Sequence, residues 1–595
     1  MMIDGTRRTF VAGAGAAAAG AAAGAVQAQP AFPRALPPAD IILKNGKIIT
    51  VDGACRIVQA IAVTDERIVE LGSNEEVLAH AVPSTRVIDL KGKAVVPGLI
   101  DGHAHMDREA LRTVFPSLGP VRSIRDIQDR IAELARGKRP GEWIVTMPIG
   151  EPPYYFDVPG SLAEKRWPTR HELDQAAPDH PVYIRSIWGY WRGSFPLVSI
   201  ANTEALKRAG ITRDTASPVE SLTIEKDANG DPTGVFVEQE MQPLAELIWF
   251  REATQFTHAD RLRALAESAR LYHSYGTTSV FEGHGAATEL IRVYKQAFEQ
   301  GALTMRATLA FSPNWKAAGN AALSPFVDSW AGWLSDAPLG NEWLKMSGIY
   351  CALGRQPADD VRAGVAPYTG WAGFNYAHGL PRAALKEVLV SLARNGVRVV
   401  MNGAMVLDLY DEVDQVVPLK GQRWVIAHIG TFTKRDIDRI VRMELVLTTH
   451  TNNYLYKGLD AQAQRLPPER HDEIVPLKSL IEAGVPVSLA TDNVPISLWL
   501  PIWQTIARES FQTRQRVAPT QALTREEALR CATADGAYLT FDEDKKGRLA
   551  PDRFADLAVL SSDPLTIEEA AIADTTALMT MVGGKTVYET PNWAG

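Results

Sequence analysis

From residue 261 onward the chain repeats one pattern: a helix-forming stretch, a break, and a short apolar strand. Arg261 to Tyr275 precedes Gly276-Thr277-Thr278-Ser279-Val280-Phe281, and Ala384 to Asn395 precedes Gly396-Val397-Arg398-Val399-Val400-Met401. Lys434 to Met443 leads into Leu445-Val446-Leu447-Thr448, and Lys478 to Ala483 into Gly484-Val485-Pro486-Val487-Ser488-Leu489-Ala490. Amphipathic helices alternating with buried strands specify an α/β architecture with a parallel sheet, and the long form of that repeat closes into a barrel. At 595 residues the chain exceeds one ordinary domain, so a barrel carrying a smaller module is expected.

Reactive side chains in such barrels sit at the C-terminal ends of the strands. The apolar run Val95-Val96-Pro97-Gly98-Leu99-Ile100 continues into Asp101-Gly102-His103-Ala104-His105. Alternate residues of a strand share a face, so His103 and His105 point the same way, with Cα atoms about 7 Å apart. Two imidazoles so placed converge on one divalent metal; the bland reading is a strand end with two incidental histidines. Arg423-Trp424-Val425-Ile426-Ala427 ends in His428, which is either a ligand or a core histidine satisfied by backbone. Asp492 closes Ala490-Thr491-Asp492-Asn493; a carboxylate there can hold water and take its proton, or simply form a turn. Trp343 to Ile349 reads as a strand with Lys345 and Ser347 on one face. A lysine facing a barrel lumen is costly unless it is used or ion-paired.

Near both ends the pattern changes to short strands and tight turns. Ile41-Ile42-Leu43-Lys44 and Lys47-Ile48-Ile49-Thr50 flank Asn45-Gly46, a hairpin signal, and Ala60 to Val63 and Arg67 to Glu70 flank Asp65-Glu66. Ala555 to Leu560 and Lys585 to Tyr588, with Gly583-Gly584 as a turn, have the same style. A β module built from residues 39–95 and 540–595 would enclose a barrel unit at 96–539. Residues 110–260 are long for one barrel connection. They carry the aromatics Tyr154, Tyr155, Phe156, Trp167, Trp188, Tyr190 and Trp191, which either line a pocket or hold the insertion together.

Composition excludes several classes. A formal net charge of −8, with lysines and arginines scattered, argues against nucleic acid or an anionic membrane as partner and leaves a small-molecule substrate. The three cysteines form neither a metal pattern nor a disulfide framework. Thr6-Arg7-Arg8-Thr9-Phe10-Val11, then Ala- and Gly-rich sequence to Ala25 and Val26-Gln27-Ala28, resembles a twin-arginine signal peptide over residues 1–28. That implies a periplasmic or secreted protein. No later stretch suits a membrane span in the mature chain. Whether the protein is a monomer or a homo-oligomer is left open.

The run Pro97-Gly98-Leu99-Ile100-Asp101-Gly102-His103-Ala104-His105 resembles the first-strand motif of the amidohydrolase superfamily. Pro181 to Ile184, Ala201-Asn202-Thr203-Glu204-Ala205-Leu206, Ala209 to Thr212 and Lys226 to Val235 are similar to its amidohydrolase-3 subgroup, which includes exo-type amidohydrolases and N-substituted formamide deformylases. The resemblance implies a TIM-like (β/α)8 barrel with a small β-sandwich domain built from both termini. It implies one or two divalent ions, zinc by preference, held by His103, His105, Lys345, His428 and Asp492. Lys345 would act as an N6-carboxylated bridge, and Asp492 would be both ligand and general base. The implied activity is hydrolysis of a carbon–nitrogen, amide-type bond other than a peptide bond, by metal-activated water, in a small apolar or aromatic substrate.

The chain departs from the subgroup twice. Trp188-Gly189-Tyr190-Trp191-Arg192 replaces a Gly-His pair, and Asn402, in Met401-Asn402-Gly403-Ala404-Met405, stands where a metal histidine is expected. A neutral amide is a weaker zinc ligand than imidazole. The site is then mononuclear, or completed by His284, His378 or His450, or turned to other chemistry. The alternatives are a mononuclear-metal lyase (decarboxylase or hydratase) and a non-catalytic periplasmic ligand-binding protein.

Overall fold

The structure is a computed structural model that describes residues 36–151, 155, 158–187, 195–319, 321–336, 338–354, 357–591 and 593. The signal-like segment and Trp188 to Arg192 lie outside these residues. Among the described residues no helix is long and apolar enough to cross a membrane.

Eight parallel strands form the central sheet: β1 (Leu99–Ala104), β2 (Thr277–Ala286), β3 (Arg306–Phe311), β4 (Leu344–Tyr350), β5 (Val399–Asn402), β6 (Val425–Ala427), β7 (Val446–Thr448) and β8 (Val487–Ser488). They are ordered as in the sequence. Next to β8, the Leu489 carbonyl accepts the Gly102 N–H of β1 at 2.9 Å, bringing the first and last strands together. The result is a nearly closed TIM-like barrel. Phe281, Ala310, Tyr350, Val400, Val425, Ala427 and Val446 pack together as one buried cluster, filling the lumen with side chains.

The helices follow the expected rhythm. Helices His258–His273, Arg382–Arg394, Lys434–Arg442 and Leu477–Glu482 precede β2, β5, β7 and β8. Capping boxes start two of them: the Thr257 and Thr433 hydroxyls accept the Asp260 and Asp436 N–H groups, and each carboxylate reaches back. Ile437 and Ile440 are the buried face of the third helix, at the spacing that puts them on one side.

Between β1 and β2 the insertion builds its own five-stranded sheet, ordered Leu222–Lys226, Pro232–Glu238, Leu197–Ala201, Val182–Ile184, Ile144–Thr146. Its buried Arg185 forks onto Glu246 at 2.8 and 2.6 Å, and the guanidinium also lies 5.0 Å from the Trp371 ring of the β4–β5 connection. The insertion is therefore fixed against the barrel mouth.

Two further sheets flank the barrel's other end. One holds four strands of the N-terminal region, and the other joins Lys47–Ile49, Ile57–Val58 and Ala94–Pro97 to Leu557–Leu560, Ala577–Val582 and Lys585–Glu589. The hairpin expected around Asn45-Gly46 is corrected. Ile41–Lys44 pairs with Ala60–Thr64 and Arg86–Asp89, whereas Lys47–Ile49 pairs within the other sheet. Leu43 and Ile48 are both fully buried in the cluster between the sheets, so packing, not the turn signal, decides the pairing. The second hairpin forms, with Thr64 opposite Arg67 around Asp65-Glu66.

Barrel and flanking sheet are tied by one buried ion pair. Arg306 of β3 meets Asp556 at 2.7 and 3.0 Å, and Asp556 also accepts the Gly583 N–H at 2.8 Å. Asp556→Ala leaves that guanidinium buried and unpaired. Thermal or denaturant unfolding should show a loss of about 3–5 kcal/mol, the usual cost of breaking such a pair.

Candidate metal centre

Six side chains meet at the C-terminal ends of five strands. His103 comes from β1 and His105 directly follows it, His284 comes from β2, His428 directly follows β6, His450 lies two residues past β7, and Asp492 follows β8. The structure thus brings together four of the five residues singled out above, His103, His105, His428 and Asp492, from positions 103 to 492 of the chain. His105 Nε2 lies 2.7 Å from Asp492 Oδ1 and 2.7 Å from His284 Nδ1, and His103 Nε2 is 3.2 Å from the same His284 nitrogen. On the other side of the carboxylate, His450 Nδ1 and His428 Nε2 approach Asp492 Oδ2 at 3.1 and 3.8 Å.

Local backbone explains the convergence. Gly283 lies against the His103 ring, where a Cβ would come within 2.1 Å of Nδ1, so only glycine leaves room for the imidazole. Asp101 fastens β1 to the loop after β8. Its carboxylate accepts the N–H of His103 and of Thr491, both at 3.1 Å, and the Thr491 hydroxyl at 2.5 Å. His428 and Asp492 have φ of 63° and 51°, a left-handed conformation that side chains other than glycine adopt rarely and at a cost. The fold holds two donor residues in strained backbone, as functional sites do.

The cluster is dry. His103, His105, His284, His428, His450 and Asp492 are between 0 and 7% exposed. Burial pushes the His103, His105, His284 and His450 imidazoles well below their usual range, and lowers His428 as well. Burial alone would raise the Asp492 carboxyl, but the imidazoles of His450, His428 and His103 outweigh it and hold the group below the usual carboxylate range. A divalent cation binds the deprotonated forms of these groups, imidazole and carboxylate, and would take the place of any proton they carry.

Whether the residues fit a metal can be judged from their atoms. Nε2 of His428, Nε2 of His450 and Oδ2 of Asp492 are buried without a hydrogen-bond partner among the described residues, a costly arrangement unless something else binds them. Donor atoms of His103, His105, His284 and Asp492 lie within 4.8 Å of one another, as do those of His428, His450 and Asp492. The donor set fits one ion in the first group, and a second in the other with Asp492 shared.

Lys345 is not part of this cluster. It is the second residue of β4, whose C-terminal end is Tyr350. Five residues of strand put it about 16 Å back toward the opposite end of the barrel. Its ammonium is bound to Asp542 at 2.5 Å, and Lys546 shares that carboxylate at 3.1 Å. The expectation that Lys345 ligates metal is therefore corrected: the lysine does face inward, but from the wrong end of the strand, and it is ion-paired. Lys345→Met should bind zinc as the wild type does while losing about 1.5–3 kcal/mol of stability, the worth of one hydrogen bond to a charged group, because Lys546 still compensates Asp542. Metal titration and urea unfolding of the variant check both parts.

Of the three histidines that could complete the site, His284 and His450 join it. His378 does not; its Nδ1 is bonded to the Asn375 carbonyl and its ring stands 5.0 Å from that of Phe374. Asn402, at the end of β5, contacts His284 Nε2 through its amide and the Tyr350 hydroxyl at 3.2 Å. It buttresses His284 and leaves Nδ1 of that ring facing the cluster. The signal for His284 and His450 was present, since each follows an apolar run within a few residues, but strand ends alone did not rank them above His378.

A cavity of about 280 Å³ opens on His284 and Asn402. Tyr350, Phe374 and Tyr376 form aromatic walls, and Arg362, ion-paired to Glu240 at 2.9 Å and Asp359 at 3.1 Å, forms part of the polar lining. Of the insertion aromatics, Trp167 packs with Ile184 and Val198 in the insertion's core and Tyr155 with Leu111, Met147 and Ile187, and neither lines the cavity beside the cluster. The other five of that set lie outside the described residues.

The amidohydrolase family model matches residues 86–588, spanning the barrel, the insertion and the C-terminal strands. The chain belongs to the amidohydrolase family. Among its curated relatives is the N-substituted formamide deformylase of Arthrobacter pascens, 25% identical over 583 residues, covering 92% of this chain and 98% of the relative. A putative amidohydrolase of Bacillus subtilis (strain 168) is 23% identical over 547 residues, covering 89% and 96%. The solved structure of an uncharacterized metal-dependent hydrolase from Pyrococcus horikoshii OT3 has a TM-score of 0.63 at 19% identity, covering 89% of this chain and 99% of that one, a likeness of fold. An amidohydrolase whose buried histidines and aspartate fit a divalent cation is a metal-dependent hydrolase.

Proposed function

We propose that this amidohydrolase cleaves a carbon–nitrogen, amide-type bond in a small substrate with an apolar or aromatic group, using zinc. The observation that carries the reading is the aromatic cavity opening directly on His284 and Asn402 beside the cluster. Burial of an aromatic group there is worth about 1.5–3 kcal/mol and orients the remainder of the substrate toward the donors. N-substituted formamides, the class named for the Arthrobacter relative, have this shape: a minimal acyl group on a nitrogen with an apolar substituent.

His103, His105, His284 and Asp492 would hold the first ion, and His428, His450 and Asp492 a second. A divalent ion so held supplies a water nucleophile at neutral pH and polarises the carbonyl it faces. Asp492 is the acceptor for the proton of the attacking water and passes it to the departing nitrogen. Asp492 lies between the two donor groups, where its carboxylate can reach a water held there. The twin-arginine-like start supports export of the folded, loaded enzyme.

The test is a panel of N-substituted formamides and N-acyl aromatic amines, followed by amine release, before and after chelation and again after zinc is returned. Cleavage that disappears with chelation and returns with zinc is expected. Undiminished cleavage in the chelated protein, or carbon dioxide release or hydration without amine release, overturns the proposal. The second outcome would point to lyase chemistry.

A further inference from the structure

A third donor group, His105, Asp107 and Glu282, lies behind the cluster. It already holds a cation, the guanidinium of Arg108, which is 6% exposed. Arg108 Nη2 is 2.8 Å from His105 Nδ1, and Arg108 Nε is 3.7 Å from Asp107 Oδ1. Arginine carries only N–H donors. At this contact Nδ1 of His105 must therefore accept. A neutral imidazole has one N–H, so its proton sits on Nε2; an imidazolium, which would turn an N–H toward the guanidinium, does not fit. Nε2 is the nitrogen that faces Asp492 and His284, both at 2.7 Å. In this state His105 offers the cluster an N–H where a metal requires a lone pair.

We propose that Arg108 gates metal loading by locking His105 in the tautomer that cannot ligate. Uptake of the ion then requires a hydrogen-bond exchange. Arg108 releases Nδ1 and turns to Asp107, whose Oδ2 is buried with no hydrogen-bond partner among the described residues. His105 moves its proton from Nε2 to Nδ1 and donates it to Glu282, whose Oε2 is 3.9 Å away. The ring keeps one proton throughout, and no net charge moves. A histidine donating to a carboxylate behind the metal is the usual support for ligand orientation and basicity. Arg108 is here a positioning residue.

The inference rests on the metal-centre reading, and its test separates the two. Histidine-selective 15N NMR of the metal-free wild type should show His105 protonated at Nε2, assigned by its loss in His105→Gln. Arg108→Gln supplies an oxygen able to accept from Nδ1–H and should move the proton to Nδ1. Zinc affinity, measured by competition with a chromophoric chelator, should rise about 10-fold or more in Arg108→Gln, the scale of supporting-residue effects on metal sites. Removing the positive charge alone would tighten binding equally in Arg108→Met, so the Gln variant must exceed the Met variant. Protonation of Nδ1 in the metal-free wild type overturns the gate, as does zinc binding no tighter in Arg108→Gln than in the wild type or Arg108→Met. If the variants fail to fold, the wild-type tautomer still decides. If His103→Ala binds zinc as tightly as the wild type, the metal-centre reading falls and the gate with it, whereas Nδ1 protonation in a protein whose His103→Ala variant loses zinc overturns the gate alone.

Discussion

His103→Ala is expected to strip the protein of tightly bound zinc and to lower amine release from an N-substituted formamide by about 1,000-fold. The figure follows from losing roughly 4 kcal/mol of metal-assisted stabilisation at about 1.4 kcal/mol per factor of ten. His103 is fully buried, Gly283 leaves its ring the space it occupies, and its loss would leave the first donor group one imidazole short. Metal analysis and kcat/KM on the same preparation check the prediction. A variant that keeps both its zinc and its rate would show that the imidazole cluster is a polar core and not a catalytic centre.

Asp492→Asn separates the two roles given to the carboxylate. An amide oxygen can still face the ions but cannot take a proton, so kcat per bound zinc should fall about 100- to 10,000-fold, the range for a missing general base. Loss of zinc in proportion to loss of rate would assign Asp492 to ligation alone. The position is a demanding one: the left-handed backbone at φ 51°, the His103 carbonyl that accepts its N–H at 3.1 Å, and the imidazoles on both sides fix the carboxylate between the two donor groups.

Much of this site was legible along the chain because strand chemistry is local. His103 and His105 share a face by the period of a strand, and His428 and Asp492 end apolar runs, so the barrel rhythm made them candidates and the family resemblance grouped them at one mouth. Lys345 shows where local reading stops. Alternation correctly put it on the inward face of its strand. The run continues through Gly348-Ile349-Tyr350, however, so the strand ends five residues later and the lysine lies at the opposite end of the lumen. A partner from residue 542 neutralises it there, and nothing near Lys345 in sequence announces that partner. The hairpin at Asn45-Gly46 fails for a related reason: a turn signal fixes a reversal, but not which sheet each arm joins.

By itself the sequence determined the α/β barrel, the pair of histidines facing one way at the end of the first strand and the chemical type of the candidate donors, because periodicity and side-chain chemistry are properties of neighbours. Only the tertiary structure decided that His284 and His450 complete the cluster, that Asn402 buttresses His284, and that Lys345 is ion-paired away from it. Those roles depend on which strand ends are brought together and on which buried charge finds a partner, distances set by barrel closure and not by spacing along the chain.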